Sequence, residues 1–221
     1  FGIFLLQVPF LFFSLLLIYR MALLYLSKKQ AVFVLAVFLF LHVAMLWGGN
    51  TLEEYCLPVN LFCMYTAMRI NQDDSYDELP QYAFVYGICF GFITFCKITA
   101  AAPVIGVTVA YGLLLLLQKK YKPLAKYILG FLAGLFVIFL PLLIYFGLHH
   151  ALYDMLYAVF AFALKRSVDF AETYNLTWEL KSLGCVFAFT FGILYKRELK
   201  TADRLMLVFS SAIVYVALHF G

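Results

Sequence analysis

Residues 100–148 read AAAPVIGVTVAYGLLLLLQKKYKPLAKYILGFLAGLFVIFLPLLIYFGL, and the reading of the middle of this stretch decides the fold. Lys119, Lys120, Lys122 and Lys126 stand between two apolar runs, about 100–118 and 125–148. Each run is close to the roughly 20 apolar residues that cross a bilayer core. Basic residues between two such runs belong on the cytoplasmic side, where Lys and Arg concentrate in membrane proteins. The stretch therefore reads as two crossings joined by a cytoplasmic turn, and it orients the rest of the chain.

Working outward, six further apolar runs follow the same pattern: about 1–19, 31–47, 52–70, 82–97, 178–195 and 204–221. Alternating crossings put Arg20, Lys28, Lys29 and Arg69 on the same side as the four lysines. Lys196, Arg197, Lys200 and Arg204 join them, so twelve of the sixteen Lys and Arg lie inside. The expected fold is all-α, a polytopic membrane helix bundle of about eight transmembrane helices in a single domain over 1–221. The segment over 151–166 is apolar but ends in Lys165 and Arg166, which predicts one interfacial helix on the outer leaflet; the rival, a ninth span, would put Lys196, Arg197 and Lys200 outside and spoil the charge pattern.

Composition agrees. Of 221 residues, 66% are hydrophobic and 13% charged, whereas soluble domains are about half apolar and a quarter charged. The net charge of +4 is small and its basic residues lie between apolar runs, a pattern that orients a membrane protein rather than binding nucleic acid. The chain starts without Met and stops inside an apolar run, and reads as a piece of a longer protein.

The candidate site residues lie at the expected outer edge. In Thr51-Leu-Glu-Glu54 the spacing is that of a capping box, and both acids suit the positive end of a helix dipole. One Glu completes the box, so Glu53 and Glu54 are either helix starters alone or starters that also wall a site. Glu53, Leu57 and Asn60 share a helical face, and Pro58 removes one hydrogen bond and predicts a bend. Lys97 closes the span over 82–97 just before Pro103. A cation there either snorkels to the interface or binds an acid or a phosphate. His149 and His150 are adjacent and point apart, and the five cysteines have no metal-ligand spacing, so no metal site and no cofactor are expected. Asn175-Leu-Thr177 is a formal glycosylation sequon without a context that supports it.

GGNTLEEYCLPVNLFCMY from Gly48, GICFGFITFCKITAAAP from Gly87 and FGLHHALYDMLYAVFAF from Phe146 together resemble bacterial membrane glycosyltransferases of the GT-C fold. These are the relatives of protein O-mannosyltransferases and aminoarabinose transferases. The resemblance covers roughly residues 30 to 165 and implies transfer of a sugar from a polyprenyl-phosphate donor to an acceptor on the outer face of a bacterial inner membrane. It implies Glu53, Glu54 and Lys97 as substrate-binding residues among membrane lipid, and a catalytic carboxylate upstream of Phe1. The competing expectation is a multi-spanning transporter or flippase, which a structural repeat with broken helices would favour. The sequence shows no repeat.

Overall fold

The computed structural model describes residues 2–45, 51–75 and 78–162, with positions 204, 208, 209 and 212. Every regular element among them is helical: α1 (Gly2–Leu23), α2 (Lys28–Met45), α3 (Leu52–Asp73), α4 (Leu79–Lys97), α5 (Ala102–Leu117), α6 (Tyr121–Leu148) and the short α7 (Leu152–Leu156). A 3₁₀ turn, Ile98–Ala101, joins α4 to α5, and a π-helical turn, Tyr157–Ala161, follows α7. Among the described residues, three segments are long and apolar enough to cross a membrane: Leu5–Leu23, Leu79–Leu117 and Tyr121–Leu148. The expected spans over 31–47 and 52–70 are helical where described, as α2 and α3, but neither is among these three segments, and those over 178–195 and 204–221 fall outside the described residues or almost so; the expected count of eight is not confirmed. Lys165, Arg166, Asn175 and Cys185 lie outside the described residues too.

Helix ends differ from the sequence expectation by a few residues, for local reasons. The α2 start carries one half of a capping box: the Gln30 side chain reaches back, its Oε1 accepting from the Ser27 backbone N–H and hydroxyl at 3.0 and 2.9 Å, as the Gln of Ser-x-x-Gln does. The Asn71–Gln81 link is shorter than expected, because α3 runs on to Asp73 and stops with Asp74 in the left-handed region at φ 54°. Lys119 and His150 do the same after α5 and α6, at φ 56° and 54°. In each case the next N–H reaches back to a carbonyl five residues earlier: Ser75 to Ile70, Lys120 to Leu115, Ala151 to Phe146. These are Schellman ends built without glycine. Pro9, Pro58 and Pro141 lie inside helices that continue through them, so the bend expected at Pro58 does not end α3.

The described chain forms two compact units, Phe1–Tyr76 and Asp77–Gly221. In the first, Gln7 meets Glu54, the Phe10 ring lies edge-on to Tyr55 at 5.2 Å, and Gln72 reaches the carbonyl of Leu24. Partner numbers rise together, so α1 and α3 run parallel while α2 returns between their ends. Arg20, Lys28, Lys29 and Arg69 thereby gather at one end, with His42, Glu53 and Glu54 at the other.

The second unit repeats this arrangement by a different contact. α4 carries Ala83, Gly87 and Gly91 at four-residue spacing, and α6 carries Gly130 and Gly134. A Cβ on Gly87 would lie 2.1 Å from the Phe131 carbonyl oxygen, and one on Gly134 would lie 1.9 Å from that of Phe84. Gly130 faces Pro80, and Gly91 faces Ile138. The two helices touch backbone to backbone, which small residues allow and apolar helices exploit for close packing. Here too the numbers rise together, so α4 and α6 are parallel. α5 forms a hairpin with α6, where the Tyr127 hydroxyl donates to the Thr108 carbonyl at 3.5 Å and the Tyr111 and Tyr127 rings sit 6.5 Å apart. As a straight helix the 39-residue stretch Leu79–Leu117 would be roughly twice as long as the ~30 Å core of a bilayer. The 3₁₀ turn folds it back. Lys97 thus shares one end of this unit with His149, and Lys119, Lys120, Lys122 and Lys126 lie at the other.

Outward faces are apolar. Phe33 is 70% exposed, Phe40 74% and Phe136 58%. α6 buries only Tyr127 and Gly134 among its 28 residues. Soluble proteins do not carry unbroken apolar surface of this extent, and such a surface suits hydrocarbon.

Candidate functional site

Glu54, in the first turn of α3, is only 7% exposed. Its Oε2 accepts a hydrogen bond from the Gln7 amide of α1. Its Oε1 faces His42 Nε2 of α2 at 4.0 Å, the imidazole itself being 12% exposed. One carboxylate is therefore addressed by side chains from both other helices of its unit. A buried charge is tolerable only with partners of this kind.

The capping-box expectation at Thr51 is half met. Thr51 has the extended backbone of an N-cap and its carbonyl accepts from the Glu54 N–H at 3.1 Å, but its hydroxyl makes no cap hydrogen bond. That hydroxyl oxygen is buried without a partner among the described residues. The two acids also part company. Glu53 is exposed while Glu54 is buried, because adjacent helical residues point about 100° apart and α1 and α2 cover only one of the two directions. The stripe expected along Glu53, Leu57 and Asn60 is not a single surface: Glu53 is exposed, Leu57 half-buried and Asn60 9% exposed.

In the second unit Lys97 is half-buried and ends α4 with extended backbone, φ −161° and ψ 107°. Its charge stands beside the carbonyl end of α4, a favourable place for a cation. Thr94, one turn earlier, is 2% exposed and donates to the Phe90 carbonyl at 2.8 Å. The His149 ring lies tilted against that of Tyr145, centroids 4.6 Å apart at an interplanar angle of 58°. His150 turns the chain into α7, and both imidazoles are exposed. Among the described residues no three His, Cys, Asp or Glu side chains gather as a metal site. Cys56, Cys63 and Cys89 are buried thiols.

Glu53 and Glu54 belong to one compact unit and Lys97 to the other, so the candidate site is described as two places. Gln7 and His42 were not singled out from the sequence. Each is a polar residue set among apolar neighbours in its helix, Gln7 between Leu6 and Val8 and His42 between Leu41 and Val43, and that is the signal that marks them. No protein-family model matches the chain, and no curated protein or solved structure does.

Proposed function

We propose that the chain is the membrane-embedded part of a transferase that moves a glycosyl group from a polyprenyl-phosphate donor to an acceptor at the outer face. The observation that carries this reading is the position of Lys97, half-buried at the fold-back between α4 and α5, at the end of its unit remote from the four clustered lysines. If that cluster is cytoplasmic, Lys97 stands at the outer edge, level with a lipid-phosphate head. Lys binds phosphate as a compact point charge. Glu53 and Glu54 would contribute polar contacts to acceptor or donor hydroxyls, and no catalytic base is assigned within this chain.

The test is binding of a polyprenyl phosphate to the protein in nanodiscs, wild type against Lys97→Met, which keeps the apolar stem and removes the charge. A contact to a charged group is worth about 1.5–3 kcal/mol, so the variant should bind roughly ten- to hundredfold more weakly. An unchanged Kd in folded protein would reduce Lys97 to a snorkelling residue and remove the reading's main support.

A transporter is the second reading. It is favoured by one observation, the like arrangement of the two units, each with its first and third helices parallel and the middle one returning. Repeated helical units are a common build of secondary transporters. It predicts movement of substrate across a vesicle by the protein alone, which the transferase reading does not.

A further inference from the structure

We propose that the outward face of α6 holds one anionic phospholipid, its phosphate between Lys122 and Lys126 and an acyl chain along Leu129, Ala133, Phe136 and Leu140. Counted from Lys122, these positions recur at i, i+4, i+7, i+11, i+14 and i+18. At 100° per residue they share a strip about 80° wide on one side of the helix. All six side chains are exposed, Leu129 by 65%, Phe136 by 58% and Leu140 by 52%. Tyr127 and Gly134, the buried residues of α6, stand about 120–140° round the helix from the middle of the strip. They fill the seams with α5 and α4, so the strip faces away from both. It starts at the end of the second unit remote from Lys97 and takes no part in donor binding there.

Charge and length both match this occupant. Lys122 and Lys126 are one turn apart, so two ammonium groups on flexible stems can close on a single phosphate. Among the described residues, neither they nor Lys119 and Lys120 beside them form an ion pair with a carboxylate. The first turn of α6 carries no acid. Glu78, the described acid at this end of the unit, is exposed and pairs with none of the four. Below the lysines, Leu129 to Leu140 rises about 16 Å along the axis, half of a ~30 Å hydrocarbon core and so the depth of one leaflet. Tyr121, 63% exposed, stands level with the lysines, where aromatic rings sit among lipid headgroups. A soluble phosphate would meet the charges and leave the apolar strip bare. A zwitterionic lipid would cover the strip but bring its own cation to the lysines. An anionic phospholipid satisfies both, and basic clusters at the end of a membrane helix attract such headgroups.

The experiment is native mass spectrometry of the full chain in detergent, titrated with phosphatidylglycerol or with phosphatidylcholine of the same acyl chains, reading occupancy of the first bound lipid. Wild type should bind phosphatidylglycerol more tightly. A lysine beside an anionic headgroup contributes about fivefold in affinity. Lys122→Gln with Lys126→Gln should therefore weaken phosphatidylglycerol about twenty-five-fold and leave phosphatidylcholine unchanged. Lys28→Gln with Lys29→Gln removes the same charge from two exposed positions of the first unit and should leave both lipids unchanged. Excess inorganic phosphate should not displace the bound lipid, because the apolar strip helps to hold it. Equal affinity of wild type for the two lipids would overturn the proposal. So would the same change, or none, in both double variants, or displacement by inorganic phosphate. The comparison of the two lipids on wild type needs no variant, so a variant that fails to fold does not spare the proposal.

Discussion

Replacing Gly134 by Ala adds one methyl group where α6 meets α4, and the geometry sets its cost. The new Cβ would lie 1.9 Å from the Phe84 carbonyl oxygen, 2.9 Å from its carbon and 3.0 Å from the Ile88 nitrogen. All three are backbone atoms, so no side chain can rotate aside. The helices must part by about 1.5 Å locally to bring the 1.9 Å approach out to an ordinary contact of 3.4 Å, and even a gap of 0.5–1 Å forfeits roughly a quarter to a half of each dispersion contact along the seam. Overpacking of this kind costs about 1–3 kcal/mol, and the unyielding partner argues for the upper end. Ala returns roughly 0.5–1 kcal/mol of backbone entropy relative to Gly in a helix. The expected net loss is about 2 kcal/mol, or a Tm lower by roughly 4–8 °C for a chain of this size. Gly112, on α5, is the internal control. A Cβ there meets nothing within 4 Å, so Gly112→Ala should be neutral or should stabilise by up to about 1 kcal/mol. Thermal unfolding in detergent, followed with a thiol-reactive fluorophore that reports exposure of the buried Cys56, Cys63 and Cys89, measures both. Equal midpoints for the two variants would refute the backbone-to-backbone account of α4 and α6.

Two further outcomes follow from the same geometry. Lys119→Gly relieves a left-handed residue at φ 56° and should raise stability by about 0.5–1 kcal/mol, the excess of the left-handed cost over the entropy of Gly; the same thermal assay reads it, and a lower midpoint would contradict the end geometry. Glu54→Ala leaves the Gln7 amide without its acceptor and should cost about 1–3 kcal/mol. Glu53→Ala removes an exposed first-turn acid, whose place at the helix start is worth about 0.3–1 kcal/mol, and should cost less. A reversed order between the two acids would mean that Glu53 and not Glu54 carries the buried contact.

Much of the helical layout was legible because each run is bounded by charge. The lysines after Leu117 and the Arg20–Lys29 segment mark turns whatever the helices touch, and α5 and α6 begin and end within about four residues of where apolar length and Lys placement put them. The charged ends of each unit, read from the positive-inside pattern, also separate as expected. What the sequence could not rank was choice among equivalent local options. Thr51-x-x-Glu54 and Ser27-x-x-Gln30 have the same spacing, yet the Gln30 side chain reaches back to Ser27 while the Glu54 side chain is engaged by Gln7 and His42. Glu53 and Glu54 are chemically alike and adjacent, and only the seating of α1 and α2 makes one buried and the other exposed. Gly87, Gly91, Gly130 and Gly134 stand in plain view at four-residue spacing, a recognisable signal for close helix contact, but spacing names a face and not its partner. Pairing of α4 with α6, and of α1 with α3, is decided in three dimensions. The physical reason is that nearly every face of these helices is apolar. Hydrocarbon and protein interior are then almost equivalent solvents for a side chain, so hydrophobic periodicity cannot mark the buried face, and shape and a few polar contacts choose it.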